Sequence, residues 1–420
     1  MGYTITEKIL LDHTQVKNIK PGDIIQVDVD FIMTNDISGP VSVKQFEKMG
    51  AKKVFDIERM AIILDHFTPN KDLSAAEACK TMRNFAEKYG IKNFYDAGSG
   101  IEHVIMHEKG YVKPGDLIIG GDSHTVTYGG LGAFSTGVGS TDLAGVMALG
   151  KIWLKVPSQL RFVYKGKIPE WVGGKDLIIY TIGQIGTDGA RYKTMEFSGE
   201  VIKGLEIEDR LTMCNMAIEA GAKNGIIEPD DKTECYMREE IGITDYRVYK
   251  SDDDARYEAT FEFDVSNLEP QVAVPFSPGN AKGVSEVTGI PIDQVVIGSC
   301  TNGRLKDLRE AAKILKNNKV HPKVRAIIFP GSKKIYKQAL KEGLIDIFIN
   351  SGAMIAIPGC GVCFGGHMGV LAEGERAVST TNRNFVGRMG HKSSEVFLSN
   401  PAVAAASAIK GVIAHPEEVV

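Results

Sequence analysis

The sequence predicts an α/β protein built on largely parallel, buried sheets. Short apolar runs ending in glycine or asparagine loops alternate with helical periodicity along most of the chain. Glycine is enriched, 46 in 420 residues against an ordinary share of about 7%, and it gathers at 98–100, 120–139 and 359–369, where a backbone must turn tightly or approach a ligand. In such folds ligands collect where strands end and loops begin. The length allows two or three domains.

Element by element, Thr4 with Glu7 ahead of Ile9, Leu10 and Leu11 reads as a helix capping box. This competes with the formal myristoylation pattern of Gly2 and Thr6. "MAIILDH" and "DLIIGGDSH" are strand candidates in the first part of the chain, separated by a helix over 72–89. At "WLKVPSQLRFVYKG" a helix gives way to alternating strand character, which predicts a boundary near 157. Residues 228–270 are acidic and polar, and the Pro-containing "EPQVAVPFSPGN" after them predicts a second boundary near 275. The last part alternates the strand candidates "QVVIGSCTNG", "RAIIFPGS" and "AMIAIPGCG" with helices over 305–317 and 334–342. Three α/β domains are therefore expected, over 1–157, 158–275 and 276–420.

Charge excludes several function classes. Lys and Arg total 49 against 53 Asp and Glu, a net −4. That balance gives no general attraction to nucleic acid or to an anionic membrane. No segment reaches the roughly 18 uncharged apolar residues that span a bilayer; the Ala-rich 402–414 is cut by Lys410. The N-terminus lacks a basic leader and a long apolar run, so no signal peptide is expected. Six cysteines are too sparse for a secreted disulfide scaffold, which points to a reducing, cytoplasmic setting. Nucleotide motifs are missing as well: there is no G-x-x-x-x-G-K-[ST], and "GLGAFSTGVG" lacks G-x-G-x-x-G spacing.

Cys300 follows one apolar run, and Cys360 and Cys363 follow another. Cys79 falls in a helical pattern, Cys235 in the acidic stretch and Cys214 beside Asn215. Four readings of the first three thiols compete. A zinc site could recruit His367 as a fourth ligand, but zinc sites generally pair two knuckles. A thioredoxin-like dithiol matches C-G-V-C but leaves Cys300 unexplained. Three unrelated buried thiols are possible, though C-x-x-C flanked by glycines is a costly coincidence. An iron–sulfur cluster accounts for all three, and since a [4Fe-4S] cluster takes four thiolates, one iron would stay open to act as a Lewis acid.

At this point the sequence resembles the aconitase superfamily of hydro-lyases, and within it the large-subunit branch that comprises isopropylmalate dehydratases and homoaconitases. The motifs are "LDH" at 64–66, "GSGIEH" at 98–103, "GGDSHT" at 120–125, "CNMAIEAGA" at 214–222, "GSCTNGR" at 298–304, "GCGVC" at 359–363 and "TTNRNFVGRMG" at 380–390. They run in order along almost the whole chain. The resemblance implies domains one to three of the aconitase architecture and a [4Fe-4S] cluster on Cys300, Cys360 and Cys363 with one iron not held by cysteine. Asp65 would orient His66 to protonate a departing hydroxyl, as a carboxylate beside an imidazole can. His103, Asp122, Ser123 and His124 would bond the hydroxyl or water and a substrate carboxylate. Asn215 and Glu219, spaced i, i+4, would point together at cluster and water. Arg383 and Arg388 would fix substrate carboxylates with their guanidinium forks, with Asn382 near the cluster, and Arg304 could act similarly.

Two departures stand out. "MTND" at 33–36 places Asn35 where relatives often have His, an exchange expected to tune a substrate contact. Val362 stands where relatives commonly have Pro, which affects loop stiffness more than ligation. The resemblance also implies a separate small subunit carrying the swivel domain, with the active site between the chains. The resemblance implies a small di- or tricarboxylic hydroxy acid as substrate and an isomerisation by dehydration and rehydration, first of 2- and 3-isopropylmalate in leucine biosynthesis, with homocitrate, dimethylmalate or citrate as the alternatives. Some relatives without a cluster bind RNA, but no Lys/Arg run here supports that role.

Overall fold

The computed structural model describes residues 2–420. Three large sheets organise them, beside a two-stranded antiparallel sheet of Ile24–Asp28 and Lys151–Lys155. In the first, five parallel strands lie in the order Phe94–Tyr95, Met60–Ile63, Phe31–Asn35, Leu117–Gly120, Phe134–Gly137. Met60–Ile63 and Leu117–Gly120 are buried at every position, as strands covered on both faces must be, and this is why they read as unbroken apolar runs. Because parallel strands all end at one edge, Asn35, the 64–66 turn, the 98–103 loop and the 122–124 turn emerge side by side.

The second sheet has four parallel strands, in the order Asn224–Ile227, Thr194–Ser198, Gln159–Lys165, Ala259–Asp264. The third has seven, in the order Ala281–Gly283, Gln271–Ala273, Glu395–Leu398, Arg376–Ser379, Gln294–Ile297, Arg325–Ile328, Met354–Ile355. Its last five are parallel and its first two antiparallel. Sheet membership changes between Lys155 and Gln159 and again between Asp264 and Gln271. Strand Gln271–Ala273 thus belongs with the last sheet, so its membership changes ahead of 275.

The helices have ordinary local causes. Thr4 caps Ile5–Asp12 in a capping box with Glu7. Asp72 caps Leu73–Tyr89, which Gly90 ends in the left-handed conformation, φ 70°. Ser332 caps Lys333–Lys341 through the Ile335 N–H. The acidic stretch behaves differently. After Ile241 the chain forms no regular element until Ala259, and it wraps back onto the N-terminus. Ser251 Oγ accepts from the Ile5 N–H at 2.8 Å, Gly2 bridges Ala255, and Arg247 pairs with Asp12. No helix among the described residues is long and apolar enough to cross a membrane.

Candidate active site

Asp36, at the end of the strand that carries Asn35, sets the first part of the site. Its carboxylate accepts backbone N–H groups of His66 at 3.1 Å and Phe67 at 2.6 Å, which fixes the 65–67 turn. Asp65 Oδ1 then meets His66 Nδ1 at 2.7 Å, while Asp65 Oδ2 accepts the Glu102 N–H at 2.8 Å. Burial alone would lower the His66 pKa; the charge and hydrogen bond of Asp65, with Glu102 and Asp36, outweigh it and raise it well above the ordinary value. With Nδ1 committed to Asp65, the proton that can leave is on Nε2.

Asn35, expected to contact substrate, turns its polar atoms to the protein. Its Oδ1 accepts from the N–H groups of Ile37 and Ser38, both at 2.9 Å, and its Nδ2 donates to Glu102 Oε1 at 3.0 Å. It is fully buried and positions Glu102. Burial, reinforced by the charges of Asp65 and Asp122, raises the Glu102 pKa well above the ordinary carboxylate value.

Asp122 is the hub of the second part. It caps the turn Ser123–Leu131 through the His124 N–H at 2.8 Å and meets His103 Nε2 at 2.9 Å. Those bonds outweigh burial and hold its carboxyl well below the usual range. Burial keeps His103 neutral, so its Nε2–H faces Asp122 while Tyr128 Oη, 3.1 Å away, donates to Nδ1. His124 Nε2 contacts Glu219 Oε1 at 2.8 Å, and Arg383 Nε donates to the same oxygen at 2.7 Å. Arg383 Nη2 also donates to Ser123 Oγ at 3.0 Å. Against its burial, Arg383 and His124 lower the Glu219 pKa; His124 itself is raised, since Asp122 and Glu219 outweigh burial and Arg383. Ligand atoms of His66, Glu102 and Asp122 lie within 4.8 Å of one another, so the two parts form one site.

The third sheet contributes the thiols from its own strand ends. Cys300, Cys360 and Cys363 are buried and form no disulfide. Ser299, in the left-handed region at φ 76°, places its hydroxyl 3.7 Å from Cys300 Sγ and 3.9 Å from Cys363 Sγ. Asn215 and Asn382 donate to Cys300 Sγ at 3.2 and 3.3 Å, and Asn382 Oδ1 lies 3.5 Å from Cys363 Sγ. Cys360 donates to Cys363, which pulls Cys363 well below an ordinary thiol, with help from Arg388 and His124, and pushes Cys360 well above. Burial and the charge of Cys363 push Cys300 up to about 12. The buried Lys175, lowered to about 7 by burial, spans the Thr380 and Thr381 carbonyls close by.

This donor set fits an iron–sulfur cluster. Three converging thiols, sulfur-directed amides and nearby cations would neutralise and hydrogen-bond an anionic metal–sulfur group. His367, the fourth ligand of the zinc reading, instead bonds the Pro69 carbonyl at 2.6 Å. Arg388 reaches Cys363 Sγ at 3.9 Å and keeps its buried Nε without a partner among the described residues, so part of its fork is open.

The spacing argument for Asn215 and Glu219 holds only in part. The α-helix Ile207–Met216 tightens into the 3-10 turn Ala217–Ala220, so Asn215 faces Cys300 and Thr127 while Glu219 faces His124 and Arg383. Arg304 contacts none of these groups; it bonds the Thr301 carbonyl at 2.6 Å and lines a separate cavity. Sequence reasoning missed Asp36, Glu102, Ser299 and Lys175. Glu102 sat inside "GSGIEH" and Asp36 inside "MTND", but Lys175 has no sequence signal of its own.

The aconitase family (aconitate hydratase) model matches residues 7–288 and 280–411. Curated relatives match end to end. The chain is 60% identical over 420 residues to the 3-isopropylmalate dehydratase large subunit of Halothermothrix orenii, covering all of both chains. It is 59% identical over 421 residues to that of Moorella thermoacetica, again covering all of both. Against the Aquifex aeolicus protein of the same name it is 57% identical over 425 residues, covering the whole chain and 98% of the relative. Among solved structures, Thermococcus kodakaraensis aconitase X (holo-form) superposes with a TM-score of 0.51 at 13% identity, over 86% of this chain and 84% of that one, a likeness of fold.

Proposed function

The chain belongs to the aconitase family, and from that premise we propose that it is the large, cluster-bearing subunit of a two-chain hydro-lyase interconverting 2-isopropylmalate and 3-isopropylmalate in leucine biosynthesis. The carrying observation is end-to-end identity of 57–60% to relatives that bear the name 3-isopropylmalate dehydratase large subunit. Three domains, parted near 157 and in the 264–275 segment, would surround the site.

The family generally carries a [4Fe-4S] cluster, and Cys300, Cys360 and Cys363 would hold it here. When bound, it would supply one iron without a cysteine ligand, a Lewis acid for hydroxyl and carboxylate. The chain's own residues do the rest. His66 Nε2 gives its proton to the departing hydroxyl, so water leaves as the C–O bond breaks, and Asp65 stabilises the imidazolium beforehand. Arg388, with Arg383 and Ser123, holds substrate carboxylate. His103, Asp122, His124 and Glu219 keep the released water oriented for return to the neighbouring carbon of the unsaturated diacid. Removal of the carbon-bound proton falls to the partner, a small subunit carrying the swivel domain. Exposed Met368, Val370, Phe385 and Val386 flank Cys363 and the arginines in sequence, an apolar rim that suits such a cover. We place the pair in the cytoplasm.

The test is to co-purify the chain with its small subunit, reconstitute the cluster anaerobically, and assay both isopropylmalates, homocitrate, citrate and dimethylmalate. Interconversion of the isopropylmalates at the highest kcat/KM is expected. Preference for homocitrate or citrate would transfer the chain to another branch of the family.

A further inference from the structure

Two helices that reach the active site also reach, at their other ends, a cavity of about 860 Å3. Helix Glu102–Glu108 begins beside His66 and Asp122 and ends with His107 on the cavity wall. Helix Ile207–Met216 begins at the cavity and delivers Asn215 to Cys300. The turn after Cys300 delivers Arg304 to the same wall.

Arg304 is only 2% exposed, and its Nε and Nη2 have no partner among the described residues. His107 is likewise buried, with Nε2 unpartnered and Nδ1 2.7 Å from Tyr236 Oη. Burial, with Arg304 nearby, holds His107 neutral, and burial keeps the proton on Tyr236. Tyr236 therefore donates to Nδ1, which leaves an N–H on Nε2. Buried donors without acceptors are costly, and native proteins rarely leave them so.

The outer wall adds charge. Lys333, Lys337 and Lys341 stand at i, i+4 and i+8 on helix Lys333–Lys341, all lining the cavity. Like charges at that spacing destabilise a helix. Carboxylates share the lining but are outnumbered: Glu108, bonded to Ser332 Oγ at 2.8 Å, Glu240, paired with Lys334 at 3.5 Å, and Glu208 stand against Arg304, Lys109 and the three lysines of the row, while Arg309 is bound to Glu342. An anion spanning both walls would relieve the unmet donors and the lysine repulsion together.

We propose that this cavity is a second binding site, for a small polyanion of the phosphate-ester or polycarboxylate class, with one anionic group on Arg304 and His107 and another on the lysine row. Occupancy would bear on the active site through the two shared helices. The assignment stands apart from the proposed reaction.

The test is calorimetric titration of the full chain with pyrophosphate and, separately, with propane-1,2,3-tricarboxylate. Saturable binding is expected, weakened at least about tenfold by the exposed pair Lys337→Glu/Lys341→Glu. Arg383→Gln, at the other site, should leave it unchanged. The tighter probe assigns the ligand class. The proposal is overturned by no saturable binding, by loss in Arg383→Gln with retention in the lysine pair, or by loss on adding the small subunit, which would make the cavity a subunit interface.

Discussion

The Cys360 backbone N–H donates to the Asp65 carbonyl at 2.8 Å, tying the cysteine loop of the third sheet to the acid pair of the first. A Cβ on Gly359 would stand 3.1 Å from that same carbonyl oxygen, tight enough to strain this approach. The Asp65–His66 pair proposed as proton donor and the thiols are thus registered to each other through backbone, independent of any side-chain rotamer.

Asp65→Asn should separate orientation from charge. The amide can still bond His66 Nδ1, but the charge that raises the His66 pKa is gone. A general acid works in its protonated form, so with His66 in the proposed role activity should hold below its pKa and fall above it. The alkaline limb of the kcat/KM profile should move to lower pH by at least about one unit, with turnover down roughly 10²-fold. An unmoved limb would remove Asp65 from the mechanism.

Cys360→Ser should abolish the brown visible absorbance after anaerobic reconstitution with iron and sulfide, and activity with it. Cys235→Ser, exposed and remote in sequence from the other thiols, should keep both. Full absorbance in the Cys360 variant would refute the ligand set.

Arg388→Gln should raise KM for the isopropylmalates, since a charge-assisted bond to carboxylate contributes about 1.5–3 kcal/mol, or roughly 10- to 150-fold. Steady-state kinetics of the reconstituted pair read this directly, and an unchanged KM would assign Arg388 to the thiols alone.

Asp116 offers a stability test away from the chemistry. Burial, aided by Asp30, raises its pKa to about 7, while the Lys113 N–H donates to it at 2.9 Å. The folded state holds a proton that the unfolded chain releases near pH 4. Stability is therefore full below that value and lost as pH rises towards about 7. Asp116→Asn stays neutral at all pH, so its Tm should exceed the native one at pH 8 by at least about 2 °C and match it near pH 4. A gap independent of pH would contradict this.

Much of the candidate site was legible because its parts sit where apolar runs stop: "MAIILDH", "DLIIGGDSH" and "QVVIGSCTNG" each show a buried strand and then a loop that carries candidate residues. Asp36 and Glu102 lay inside motifs yet passed unnoticed, because holding backbone amides or a neighbouring amide leaves no pattern of spacing. The bond from Asn35 to Glu102 was unforeseen for the same reason, since a side chain's partners are set by what folds against it. The 242–258 stretch gave only composition, and its path back to Tyr3 and Ile5 depends on contacts some 250 residues apart.

Sequence by itself determined the α/β class, the strand ends, the cysteine trio and the family, because buried parallel strands and cluster-type loops impose local patterns of apolarity, glycine and thiol. Only tertiary structure decided which charges meet: Asp65 with His66 and Glu102, Glu219 with His124 and Arg383, Lys175 beside the thiols, Arg304 in a cavity of its own. Pairing of that kind follows from burial and from distances between separate sheets, and those exist only once the chain has closed on itself.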